Sequence, residues 1–260
     1  MSELYLMLIA IIFIYMSVLF LIAQKLKNNS IVDVGWPFGF VIIAFSSLLM
    51  TQNFTLSSIL MTVFVGLWGL RLGIYLWVRA YGKPEDYRYA NFRKQWGKNV
   101  VLTAFFRVFM LQGSIMLLVA FPIIVTVANS EASHSMAYSI LGSAVWLLGY
   151  FFQVIGDAQL AHFKKQRKSK EEVLQTGLWA YTRHPNYFGE ACMWWGLAII
   201  ALPVTFGFIA LLSALIMNIL LVKVSGVPFL DRRYAQNAAY QHYKQTTNRF
   251  VPWFPKQIKN

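Results

Sequence analysis

Apolar runs long enough to cross a lipid bilayer alternate along this chain with short polar stretches, and that alternation predicts membrane helices. Seven such runs are present: Leu4–Ala23, Val34–Met50, Phe54–Val78, Val108–Ala128, Met136–Gly156, Ala191–Leu202 extended back to Asn186, and Thr205–Val222. Pro203 and its neighbours are all that divides the last two, so they are expected to form a tight helical hairpin. The expected fold class is all-α: a polytopic membrane protein of about seven transmembrane helices. No linker or internal repeat divides the chain, so residues 1–260 are read as a single transmembrane domain.

Charge tests the count and orients it. With the N-terminus outside and one crossing per run, the inner segments 24–33, 79–107, 157–186 and 223–260 carry two, seven, six and seven Lys/Arg residues. The short outer segments carry none, and Arg71 alone of the 23 basic residues lies within a span. This is the positive-inside pattern, and it predicts N-out, C-in. Hydrophobic residues make up 58% of the chain and charged residues 13%, far from a soluble domain. The net charge of +13 then belongs to one membrane face, where it suits anionic lipid or an anionic cofactor. No recognised nucleic-acid-binding module surrounds it, so no nucleic-acid partner is expected. The first run lacks a basic leader and a small-residue cleavage pattern, so it is expected to be retained. Cys192, a single cysteine, excludes an internal disulfide and a cysteine-rich metal site.

Against this background a few polar residues stand out. Arg183, His184, Asn186 and Glu190 fall within eight positions where an apolar run begins, in Gly177-Leu178-Trp179-Ala180-Tyr181-Thr182-Arg183-His184-Pro185-Asn186-Tyr187-Phe188-Gly189-Glu190. Pro185 suits the first helical turn and Thr182 can cap the turn before it. Asn186 and Glu190 are four apart and share a helix face. Helix capping and interfacial anchoring account for Arg183, Pro185 and Tyr187 but not for Glu190, a turn deeper. Asp33 and Arg71 also sit where lipid penalises charge. They are read either as a structural staple or as the floor of a pocket, in which Arg71 holds Asp33 so that it donates a proton or hydrogen bond to a substrate carbonyl. Gly35, Pro37 and Gly39 would open the second helix to a flat ligand. Trp36, Trp68 and Tyr75 are candidate apolar walls, or ordinary packing. Lys83, Lys164, Lys165, Arg232 and Arg249, from three inner segments, provide cations for a phosphate or pyrophosphate clamp. No Gly-x-Gly-x-x-Gly or Walker loop is present, which excludes a soluble Rossmann domain, and no metal-ligand spacing is found.

The segment from Gly177 to Glu190 resembles the hallmark of the steroid 5-alpha-reductase superfamily, its bacterial members and the sterol reductases. Trp68 to Pro84, Asp157-Ala158-Gln159-Leu160, Ser225-Gly226-Val227-Pro228 and Phe250-Val251-Pro252-Trp253-Phe254 match as well. The Arg-His-Pro core is shared with isoprenylcysteine carboxyl methyltransferases, whereas Asn186-Tyr187-Phe188-Gly189-Glu190 looks like the reductases. The resemblance implies NADPH-dependent reduction of the conjugated C=C of a steroid or steroid-like lipid enone, in a bacterial inner membrane with the cofactor side cytoplasmic. It implies that Asn186 and Glu190 hold the nicotinamide carboxamide, that Asp157, Lys164, Arg183, His184 and Tyr187 line the cofactor, and that Lys83 meets phosphate. Arg232 and Tyr243 are further members. Asp33 stands in place of the family's carbonyl-polarising Glu, and Trp68 in place of its Tyr. Tyr87 is the substitute donor should Asp33 be structural. Two other readings remain: a membrane methyltransferase using S-adenosylmethionine, and a transporter whose path contains Arg71, Asp33 and Glu190.

Overall fold

The computed structural model describes residues 1–129, 135–169, 171–224 and 234–256. Arg232 and the Ser225–Pro228 motif lie outside the described residues. Among the described residues the chain is helical and contains no strand. Among the described residues six helices are long and apolar enough to cross a membrane: α1 (Ser2–Leu26), α2 (Ile31–Thr51), α3 (Leu56–Ala80), α4 (Tyr87–Val119), α6 (Met136–Gln166) and α8 (Gly207–Val224). Between them lie α5 (Phe121–Ala128) and α7 (Pro185–Ala201), and α9 (Ala238–Thr246) follows. The run expected as the sixth crossing forms α7, an apolar helix of 17 residues that is not among those six.

The fourth run is placed differently from expectation. Val108–Ala128 was expected as one span, but α4 ends at Val119 and α5 begins at Phe121. Pro122 explains the break, because a proline has no N–H for the ladder and its ring crowds the preceding turn. The crossing extends instead toward the N-terminus, through a π-helical stretch at Phe105–Met110.

The chain forms two compact units: Met1–Ser139 with Ile200–Ala210, and Ile140–Ile199 with Leu211–Asn260. In the first, α1, α2 and α3 form consecutive hairpins. Their turns use Lys27 and Gln52 in left-handed conformation at the ends of α1 and α2, and Thr55 caps α3 by accepting from the Ser58 N–H. The glycines of α2 do not open it. A Cβ at Gly35 would collide with Leu19 and one at Gly39 with Met116, while a Cβ at Gly69 of α3 would stand 2.8 Å from the Pro37 carbonyl oxygen. Absent side chains here bring neighbouring helices in, so the space expected for a flat ligand is filled by packing.

The second unit is organised by the antiparallel pair α6 and α7. A Cβ at Gly189 would lie 2.3 Å from the Gly149 carbonyl oxygen, and one at Gly196 would lie 2.6 Å from that of Gly142. The two backbones meet along this seam, as small residues allow in apolar surroundings.

Candidate functional site

The segment expected to carry chemistry forms a buried turn in the second unit. A short 3-10 turn at Gly177–Ala180 leads into it, and the Trp179 indole donates to the Gly156 carbonyl of α6 at 3.1 Å. The C-terminal strap then pairs with the turn: the Arg183 N–H donates to the Asn248 carbonyl, the Thr182 hydroxyl to that of Phe250, and the Trp253 N–H to that of Tyr181. Thr182 caps as expected, accepting from the His184 N–H at 3.3 Å. Tyr243 of α9 donates its hydroxyl to the Trp179 carbonyl. Burial pushes the Tyr243 hydroxyl well above its usual titration range, with Arg183 pulling the other way, so it stays a donor at neutral pH.

This scaffold buries Arg183 and His184, which are 6% and 1% exposed. The Arg183 guanidinium lies over the Tyr240 ring at 5.9 Å, and the His184 ring stacks on Tyr187 at 5.6 Å. Pro185 opens α7, and the two residues expected to share a face do so. Asn186 donates its amide to Asp157 of α6 at 2.9 Å, and Glu190 accepts from the Gln153 amide at 3.0 Å. Gln153 and Asp157 are themselves four apart. Two polar rungs thus cross the glycine seam one helical turn apart, each joining a carboxylate to a carboxamide. Burying such groups in an apolar helix pair costs several kcal/mol unless each is hydrogen-bonded, and here each is.

Asp33 organises a different cluster, in the first unit. Its two carboxylate oxygens accept from the Arg88 guanidinium and the Tyr89 hydroxyl, each at 2.6 Å. Gln112 donates to the Tyr89 oxygen at 3.3 Å. Arg88 also donates to Asp86 at 2.8 Å, and Arg93 bonds Glu85, which in turn accepts from the Asn29 N–H. Asp86 caps α4; burial raises its carboxyl, but the hydrogen bonds and charge of Arg88 outweigh this and hold it below the usual carboxylate range.

Arg71 is not the partner of Asp33. Gly69 and Gly73 are the α3 positions pressed against α2, and Arg71 lies two residues from each. Residues two apart on a helix do not face the same way. Arg71 turns instead onto the ring of Tyr75, at 5.4 Å, a ring also approached by Arg79. Trp36 and Trp68 are linked through Phe40 by edge-on contacts at 4.7 and 5.5 Å. Tyr87 is 52% exposed, and it is Tyr89, two residues on, that reaches Asp33. Lys83 bonds the Arg79 carbonyl at the end of α3, and Lys164 is exposed in the last turn of α6.

The structure therefore brings together Asp157, Arg183, His184, Asn186, Tyr187, Glu190 and Tyr243 in one unit, with Asp33, Arg71, Lys83, Trp36, Trp68, Tyr75 and Tyr87 in the other. Sequence reasoning missed Gln153, Tyr89 and Arg88. Gln153 had an available signal: it is a polar residue four before Asp157 in an apolar run. Among the described residues no group of three or more His, Cys, Asp or Glu side chains is placed to hold a metal ion.

Residues 19–247 match the family described as "Protein of unknown function (DUF1295)", and the chain belongs to that family. It is also 33% identical over 60 residues to 3-oxo-5-alpha-steroid 4-dehydrogenase 1 of Bos taurus, a stretch covering 23% of each protein. The match thus spans about a quarter of that curated relative. Both findings agree with the resemblance to the steroid 5-alpha-reductase superfamily. No solved structure matches the chain.

Proposed function

We propose that this membrane protein is a steroid-reductase-like oxidoreductase that reduces the conjugated C=C of a steroid or steroid-like lipid enone with NADPH. The observation that carries the reading is the pair of buried rungs, Gln153–Glu190 and Asp157–Asn186, beside buried Arg183 and His184. The partial match to a steroid dehydrogenase supports it. The donor set fits the cofactor chemically. Carboxylates and carboxamides suit a nicotinamide carboxamide, which both donates and accepts. Arg183, Lys164, Lys165 and Arg249 suit its phosphates.

NADPH, when bound, supplies the hydride. What the chain supplies is orientation and charge stabilisation. Gln153 fixes the Glu190 carboxylate and Asp157 fixes the Asn186 amide, so the two groups of α7 that would hold the carboxamide arrive oriented. Hydride addition to the β-carbon of an enone builds negative charge on the carbonyl oxygen, and a donor aimed at that oxygen lowers the barrier. Asp33 with Tyr89 is the group we assign to that role, the Tyr89 hydroxyl turning from the Asp33 carboxylate to donate to the substrate oxygen. The assignment differs from expectation in that Arg88, not Arg71, holds the carboxylate. The inner membrane, with the cofactor side cytoplasmic, is the location this reading requires.

Ligand-dependent stability tests the proposal. A ligand that binds only the folded state adds about RT ln(1 + [L]/Kd). NADPH is expected to raise the melting temperature of the detergent-purified protein, and by more than NADH. A response to S-adenosylmethionine with none to NADPH would assign the chain to membrane methyl transfer instead.

A further inference from the structure

The five cations of α4 that lie between its start and the apolar run beginning at Val108 include two pairs with different fates. Arg88 and Arg93 are paired with carboxylates, Asp33 and Asp86 for the first and Glu85 for the second. Lys98 and Arg107 make no hydrogen bond or ion pair with any described residue. Each lines a cavity. One, of about 470 Å³, is bounded by Arg107 together with Gln95, Asn99, Thr103 and the ring of Trp96. The other, of about 440 Å³, is bounded by Lys98 and otherwise mostly by apolar side chains, among them Phe20, Val101 and Phe105. Asn99 and Leu102 line both, so the cavities adjoin. No carboxylate is among the described residues lining either.

We propose that this double cavity binds one anionic phospholipid, with the phosphate in the half bounded by Arg107, Gln95, Asn99 and Thr103, Lys98 following on from the shared Asn99, and an acyl chain along Phe20, Val101, Leu102 and Phe105. Three features fix that ligand class. Two unpaired cations and three neutral donors suit a phosphate ester, since charge-assisted bonds to phosphate are the strong ones. The apolar half of the cavity has no use for a soluble anion. The site also lies where the charged segment gives way to the apolar run, the level at which basic pockets beside membrane helices take anionic headgroups. The π-helical stretch Phe105–Met110 carries Phe105, Phe106 and Arg107, and such bulges shift side chains off the regular helical face. The inference is independent of the proposed reductase activity.

Native mass spectrometry of the full chain in neutral detergent tests it, with phosphatidylglycerol and phosphatidylcholine of identical acyl chains as probes. Phosphatidylglycerol is expected to be retained at roughly tenfold lower concentration, a preference that shrinks as salt rises. Equal retention of the two lipids by the unmodified protein overturns the proposal. Glycerol phosphate separates a lipid from a free anion: competition at the same concentration as the lipid would make this a soluble-anion site and overturn the lipid. Lys98→Gln with Arg107→Gln is expected to erase the preference, and Lys244→Gln, in the other unit, to leave it. Survival of the preference in the double variant overturns the placement. Leu102→Trp, at a position 67% exposed and so tolerant of a larger side chain, fills both cavities with the charges intact. It is expected to reduce retention several-fold, and unchanged retention contradicts the site even where the double variant does not fold.

Discussion

The two polar clusters of this protein use the same kinds of side chain under different conditions. Asp33 and Arg88 sit near helix ends with 33% and 26% of their side chains exposed. Asp157, Glu190 and Gln153 lie inside a helix pair at 4%, 8% and 2%. The first cluster ties the start of α2 to the start of α4, and water shares the work of stabilising its charges. The second has no such help. Its carboxylates are held by carboxamides across a seam so tight that only glycine fits at Gly149 and Gly189. A polar rung in that position is expensive to leave half-made, and cheaper apolar packing would hold the helices together. The difference is one of cost: the first cluster stands with the help of water, and the second stands only while every rung is made.

The largest expected effect follows from that contrast. Glu190→Gln keeps a polar side chain in the rung, so the protein should fold, yet it removes the carboxylate that would orient the cofactor. Turnover at saturating NADPH should fall by about 10² or more with little change in melting temperature. Near-normal turnover would reduce the rungs to helix packing.

Asp33→Asn should affect the first cluster differently. Arg88 keeps its bond to Asp86, so the loss of stability should be about 1 kcal/mol, as for partly exposed ion pairs. If Asp33 with Tyr89 polarises the substrate carbonyl, the rate at saturating substrate should still fall by about 10²–10³. Tyr89→Phe should then share the rate loss and Arg71→Gln should not. An Arg71→Gln variant as impaired as Asp33→Asn would restore the pairing that the geometry contradicts.

Gly189→Ala probes the seam itself. Its Cβ would press on the Gly149 carbonyl oxygen, and overpacking of this kind typically costs about 1–3 kcal/mol. Chemical denaturation would read it, and a neutral result would mean that the helices separate freely and the rungs are not preorganised.

The smallest effect concerns acid. Asp86 titrates below the usual carboxylate range in the folded protein. Its contribution is therefore complete above the ordinary carboxylate value of about 3.9 and is lost as pH falls through the lower folded value. Asp86→Asn retains a capping side chain but removes this titration. The variant should lose stability less steeply with acid, measured as melting temperature between neutral pH and pH 3.

Much of this arrangement is legible in the chain. Apolar run length places α1, α2, α3, α6 and α8, and the Thr182–Pro185 signal places the start of α7 where it occurs. The four-residue spacing of Asn186 and Glu190 gives their shared face. What spacing cannot give is the partner across a helix pair. Gln153 is 37 residues from Glu190, and Tyr89 is 56 from Asp33. Arg71 and Asp33 looked like partners because both are charges within apolar surroundings, and membrane depth does not report helix face. The glycines of α2 misled for a related reason. A residue without a side chain signals close approach equally for a ligand and for a neighbouring helix, and here it is the helix.

Hydride transfer is the step that decides between reduction and methyl transfer. Purified protein, supplied with NADPH deuterated at the transferable position and a Δ4-3-ketone steroid, should return product carrying deuterium at the β-carbon of the former enone. Glu190→Gln should slow that incorporation about a hundredfold or more. No deuterium in any enone product, together with a methyl group moved from S-adenosylmethionine to a lipid acceptor, would contradict it.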